Sequence, residues 1–164
     1  MKSRGESLGA LIIGYGNPLR GDDAAGHRAV EILSAMSDPG NGTRFVAVHQ
    51  LTPELAETVA GADDVYFIDA AEASKERHPG TVRCEAIQAI PPGGEALGHH
   101  MTPQQLLAFT AALYGARPRA FVYTIAAESF DYGAPLSRAV VSAMPSLVRR
   151  LRDRMMGGPS SADV

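Results

Sequence analysis

Short apolar runs alternate with helical repeats along this chain. Apolar segments at residues 10–13, 44–48, 65–68, 81–87 and 120–125 read as strands. The third of these ends at Asp69. From Asp22 onward, Ala25, Ala29, Val30, Ile32 and Leu33 recur at helical spacing, and the breaker Asp38-Pro39-Gly40 stops the pattern. Thr52-Pro53 and Thr102-Pro103 each place an N-cap residue before a proline at the first helical position. The second predicts a helix to about residue 113. Ser137 opens a last amphipathic helix carrying Val140, Val141, Met144, Leu147, Val148 and Leu151, with Pro145 inside it predicting a kink or a restart. Strands alternating with helices predict an α/β fold, a three-layer α/β/α sandwich. Residues 71–80 are polar and too short for the crossover of a dozen or more residues that a parallel strand needs. The strand at 81–87 is therefore expected to run antiparallel to its neighbour.

A length of 164 residues suits one domain, with an ordered core expected over about residues 8–155 and a loose tail after Gly157. No internal repeat is visible. The chain is 45% hydrophobic, which fits a folded globular protein, and its formal charge of −3 gives no support for a nucleic-acid partner. No apolar run approaches the roughly 20 residues of a membrane helix. The basic N-terminal residues lead into an apolar segment that breaks at Gly14, which argues against a secretory signal. Cys84 is the sole cysteine, so it makes no internal disulfide or thiolate cluster and fits a reducing cytoplasm.

Candidate chemistry gathers just beyond the predicted strand ends. Asp22 and Asp23 follow the first strand and its glycine-rich turn, Asp69 closes the third, and His99 and His100 precede the helix at Thr102. In a doubly wound sheet such positions converge on one crevice. Two carboxylates and an imidazole suit nickel, zinc, copper or iron, and three ligands leave positions open for water or substrate. Each residue also has a structural reading. Asp22 is expected to cap its own helix. Asp23 lies in the first turn, where the helix dipole favours an acid as much as a ligand role does. Asp69 follows an apolar run, and an aspartate is rarely buried unpaired, which favours function. His99-His100 reads equally as an exposed loop pair, His49 as a strand-end or surface residue, and His27 as solvated. Glu128-Ser129 either lines the crevice or serves its loop. Cys84 reads as core. Gly14-x-Gly16 lacks the third glycine of a dinucleotide fingerprint, because Leu19 stands there, and neither a phosphate loop nor a nucleophile elbow is present.

Taken together, Gly14-x-Gly16-Asn17-x-Leu19-x-x-Asp22-Asp23-x-x-Gly26 resembles the opening motif of the nickel–iron hydrogenase maturation endopeptidases. The likeness continues through Gln50-Leu51-x-Pro53-Glu54-Leu55, Phe67-Ile68-Asp69-Ala70, and His99-x-Met101-Thr102-Pro103 with Leu106-Leu107. It ends with Leu113-Tyr114-Gly115-x-x-Pro118 and Leu136-Ser137. It spans about residues 8–151. The resemblance implies a central five-stranded, mostly parallel twisted sheet. It also implies that the metal-contacting acid, aspartate and histidine of that family fall on Asp23, Asp69 and His99. His99 is preferred to His100 because the hydrophobic, hydroxyl and proline positions follow it at the family spacing. Ala24 departs from a glycine found in many members. The implied activity is removal of a C-terminal extension from a hydrogenase large-subunit precursor after nickel insertion, with nickel supplied by that precursor. A zinc-peptidase His-Glu-x-x-His motif is absent, in keeping with an unconventional peptidase. The alternatives are a non-catalytic metal- or nucleotide-binding module, or a related protease acting on another protein.

Overall fold

The computed structural model describes residues 8–90 and 100–157. Five strands, β1 (Leu8–Tyr15), β2 (Thr43–Val48), β3 (Ala62–Glu72), β4 (Val82–Ile87) and β5 (Arg119–Ala127), form one sheet. Their order is β2-β1-β3-β5-β4. The β1–β2, β1–β3 and β3–β5 pairs are parallel, whereas β4 lies antiparallel to β5. The short polar connection after β3 thus does what its length dictates and carries no crossover helix. Four helices cover the sheet: α1 (Ala25–Ala35), α2 (Ala56–Ala60), α3 (Pro103–Tyr114) and α4 (Arg138–Met155).

Strand alternation sorts the core into two layers. Ile12, Tyr66, Ile68, Tyr123 and Ile125 pack under α1 and α4. Leu11, Ile13, Val65, Phe67 and Ala120 pack under α2 and α3. Strands β1 and β3 are apolar on both faces because both faces are covered. Among the described residues no helix is long and apolar enough to cross a membrane.

The helix starts show where local sequence decides and where it does not. Thr102 caps α3 with a complete capping box: its hydroxyl accepts from Gln105 N, and the Gln105 side chain accepts from Thr102 N. Thr52 has the extended backbone of a cap but makes no side-chain cap bond, and Pro53 opens a 3-10 turn before the five-residue α2. The helical pattern expected from Asp22 begins as a 3-10 turn at Gly21–Ala24 and becomes α-helix at Ala25. Helix α4 neither breaks nor restarts at Pro145. The proline costs about 3 kcal/mol in a helix interior. The buried stripe Val140, Met144, Leu147, Val148 and Leu151 outweighs that, at roughly 1.5–3 kcal/mol per buried side chain.

Strand order reverses between β1 and β3, and ligands of open α/β sheets bind at such a switch point. There, α1 sits with backbone against backbone. A Cβ on Gly14 would strike the Gly26 main chain, and a Cβ on Gly26 would lie 2.7 Å from Ile68 O and 2.9 Å from Tyr15 N. In an ordinary helix interior, Gly→Ala stabilises by roughly 0.5–1 kcal/mol. Here the overlap dominates. Gly26→Ala should destabilise the protein by about 2 kcal/mol or more, read as a lower urea midpoint with an unchanged slope.

Candidate functional site

The glycine-rich turn after β1 is held by its own polar groups. Gly16 has φ of +141°, a conformation that excludes side chains, and a Cβ there would also meet Asp23, 2.9 Å from its Oδ1. Asn17 N donates to Asp23 Oδ2 at 2.7 Å, and Asn17 Oδ1 accepts from Leu19 N at 2.9 Å. One Asp23 oxygen is thereby fixed by a backbone amide. Ala24, the departure from the family glycine, takes ordinary right-handed backbone (φ −76°), so the alanine imposes no strain.

Asp22 does not cap its own helix. It is fully buried, and its carboxylate reaches across the fold. Oδ2 accepts from Glu128 N (2.8 Å) and Ser129 N (3.1 Å), and Oδ1 accepts from Ser137 N (2.7 Å). Its own amide donates to Ser129 O at 2.9 Å. Hydrogen bonds to a charged group are each worth about 1.5–3 kcal/mol, so this residue clamps the loop after β5 and the start of α4 onto the turn. Glu128 and Ser129 serve that clamp through their main-chain amides. The dipeptide Asp22-Asp23 therefore divides its labour: the first acid is consumed by the fold, and the second stays at the sheet edge.

Asp69 lies inside β3 rather than at its end. The strand runs three residues further because β5 continues to pair with it, from Asp69↔Thr124 to Glu72↔Ala127. The β1 pairing stops at Gly14↔Ile68, so Asp69 faces an open edge on that side. Alternation from Phe67 turns Asp69 to the face shared with Tyr15, whose ring stands edge-on to Phe67 at 6.5 Å. Burial pushes the Asp69 carboxyl up to about 6; the Tyr15 hydroxyl opposes the rise, the Asp23 charge adds to it, and the Ala70 amide also opposes it. Burial and then Asp69 hold the Tyr15 phenol above its ordinary range, so it stays protonated. The two acids repel each other, but burial is the larger cause of the rise. Tyr15 was not singled out from sequence. Its position two residues beyond Ile13, on the same face, is the signal that finds it.

The two acids therefore share one edge, and among the described residues neither has an ion-pairing lysine or arginine. Carboxylate oxygens with no compensating cation suit a divalent ion as a donor set. His99 lies outside the described residues, and within them no third His, Cys, Asp or Glu completes a metal-binding group. His100 is exposed, with Nδ1 3.2 Å from Gln50 Oε1, at the edge where β2 ends. His49 is exposed as expected. His27 is half-buried and held by the fold rather than free in solvent. Its Nε2 is 2.9 Å from Gly16 O and 3.0 Å from Val48 O, so it is the protonated nitrogen, donating to carbonyls of the turn and of β2. Its place in the first turn of α1, directly over the strand ends, is what brings it there. Cys84 packs against the α1/α4 core, as its strand position predicts.

Known proteins share both sequence and fold with this chain. The hydrogenase expression/formation protein HupM of Azotobacter chroococcum is 31% identical over 140 residues, 83% of this chain and 66% of that relative. The matched part is thus just under two thirds of the relative's length. The NiFe hydrogenase maturation protease HycI of Thermococcus kodakarensis superposes with a TM-score of 0.72 at 18% identity, covering 94% of this chain and 96% of that one. The hydrogenase 2 maturation peptidase of a Thaumarchaeota archaeon superposes with a TM-score of 0.66 at 25% identity, covering 91% and 98%. No family model matches the sequence.

The raised Asp69 carboxyl makes a signed prediction. At pH 8 the folded, metal-free protein holds this group charged against its surroundings, whereas the unfolded chain does so at no cost. Below the ordinary value of 3.8 both states are protonated and the penalty is gone. Asp69→Asn should therefore stabilise the metal-free protein by about 2–3 kcal/mol at pH 8. The gain should shrink as pH falls through about 6 and vanish near pH 4, as followed by urea melts in chelator.

Proposed function

We propose that this chain is a hydrogenase maturation endopeptidase, on its likeness to the HupM relative and to the solved maturation proteases, and that it removes the C-terminal extension of a nickel–iron hydrogenase large subunit, in the cytoplasm, once nickel is in place. The observation that carries the reading is the meeting of Asp23 and Asp69 at the β1/β3 switch point, with no lysine or arginine ion-paired to either among the described residues. Asp23, Asp69 and His99 are the residues that hold nickel brought by the precursor, in an aspartate-type, metal-binding endopeptidase site. Nickel bound there supplies Lewis acidity to a peptide carbonyl or to water.

The chain's own residues do the rest. The Asn17 amide fixes one oxygen of Asp23, and Gly16 leaves room beside the other. Tyr15 braces Asp69 from the neighbouring strand. With its carboxyl near 6, Asp69 is mainly ionised at neutral pH yet still accepts a proton readily, which suits both a ligand and a proton acceptor. Asp22 keeps the α4 start fixed behind the site.

Nickel-loaded and nickel-free large-subunit precursor are incubated with the protein, and C-terminal mass loss is followed. Trimming is expected only in the loaded sample. Asp23→Ala, Asp69→Ala and His99→Ala should each lower the rate by more than the about 10–100-fold that loss of a supporting residue costs. Circular dichroism should be unchanged, and His100→Ala should retain activity. Full trimming by all three variants would refute the mechanism. Binding of loaded precursor with no mass loss would instead mark a non-catalytic metal-binding module.

A further inference from the structure

We propose that a lip formed by Leu19, Arg20 and Tyr132 is the surface on which the precursor polypeptide docks, seating one of its apolar side chains within a few residues of the scissile bond. This inference rests on the reading of the preceding subsection and adds a substrate-contacting surface to it.

The lip is two segments zipped together at the sheet edge. Arg20 pairs with Tyr132 as an isolated antiparallel bridge. Gly133 N donates to Leu19 O at 2.8 Å, and Arg20 Nε donates to Phe130 O at 3.3 Å. The Arg20 guanidinium lies 5.2 Å over the Tyr132 ring. On its other side the lip is tied to the turn through Arg20 N to Asn17 O (3.1 Å) and Leu19 N to Asn17 Oδ1 (2.9 Å). The backbone of Leu19 and Arg20 is therefore engaged on both sides. Yet Leu19 is 68% exposed and Tyr132 74% exposed. Large apolar side chains left in water on a tethered backbone lose little further freedom when covered, which is the economy of a preorganised docking surface.

Leu19 belongs to the opening motif but has no part in the core and ligates nothing. The fold gives no reason for a leucine there; a surface does. The polypeptide is the occupant because of where the lip stands. Arg20 O accepts from Asp23 N at 3.0 Å, so the lip's main chain is bonded to the candidate ligand residue itself. An extended chain advances about 3.3–3.6 Å per residue. A polypeptide laid with its scissile bond at Asp23 and Asp69 thus passes the lip within a few residues. The Arg20 charge is already engaged by Phe130 O and the Tyr132 ring, which leaves an apolar partner for the exposed faces. Tyrosine and arginine are also the residue types that carry most binding energy at protein interfaces.

The test compares wild type with Leu19→Ala, Tyr132→Ala and the double variant. Trimming of nickel-loaded precursor gives KM and kcat. Calorimetry with nickel-free precursor, which is not expected to be cut, gives Kd. The double variant should raise KM about tenfold or more while kcat stays within about twofold. It should weaken Kd in parallel. Leu19→Met should restore most of the affinity. Met36→Ala, at an exposed apolar residue (50%) beyond the far end of α1, should change nothing. Unchanged KM and Kd in the double variant, or a loss confined to kcat, would overturn the lip while leaving the peptidase reading intact. If wild type fails to trim loaded precursor, that reading falls and Kd alone judges the lip. Binding by wild type that the double variant loses upholds it. No binding, or equal binding by both, overturns it.

Discussion

Where β1 gives way to α1, main chain touches main chain, and this contact sets the rest of the site. Two glycines, Gly14 on the strand and Gly26 on the helix, leave no side chain between them. The helix start can then rest directly on the ends of β1 and β3. The acid just before the helix is thereby delivered beside the acid on the neighbouring strand. With alanine at either glycine the helix would have to stand off, and Asp23 would lose its place near Asp69. Interiors pack at crystal-like density, so such a displacement would not be absorbed locally.

Around that contact the polar groups are arranged in a consistent order of burial. Asp22 is wholly enclosed and fully hydrogen bonded, and its task is to join the turn to the far end of the chain. Asp69 is partly enclosed, with a tyrosine on one side and an unfilled edge on the other. Asp23 is fixed by one amide and is otherwise half-buried. Enclosure without enough partners raises the energy of the charged form of Asp69, and a bound cation would lower it. Stability is given up at Asp69, a pattern common to functional sites that must keep a reactive charge.

Much of the fold was legible in the residues, for local reasons. The antiparallel β4 followed from the length of one connection, and the start of α3 from a cap and a proline. What failed depended on distant partners. Residues 65–68 marked only the middle of β3, because its extension to Glu72 is set by β5, over fifty positions later. Asp22 looked like a helix cap because its true donors, at 128, 129 and 137, are remote in sequence. His27 looked solvated because nothing local shows that β2 ends beneath it. Of the candidate site, Asp23 and Asp69 stand out by their place after the first and third apolar runs, their ligand roles are what the family resemblance implies, and the structure brings the two acids to one edge. Tyr15 was not legible from the apolar run, which ends at Ile13, because β1 continues through Gly14 to Tyr15 by pairing with β2. His99, implied by family resemblance, falls outside the described residues.

The reach of Asp22 also has a temporal meaning. Its hydrogen-bond donors lie 106 to 115 residues downstream. On the ribosome, a chain grown only through β3 already has both acids and the glycine-rich turn with its local hydrogen bonds, but not yet the amides that receive Asp22. The latch closes only after β5 and Ser137, the cap residue of the last helix, have been made, and domains generally fold as units during synthesis. A nascent or truncated chain therefore carries both acids without the tie that joins their turn to the last helix.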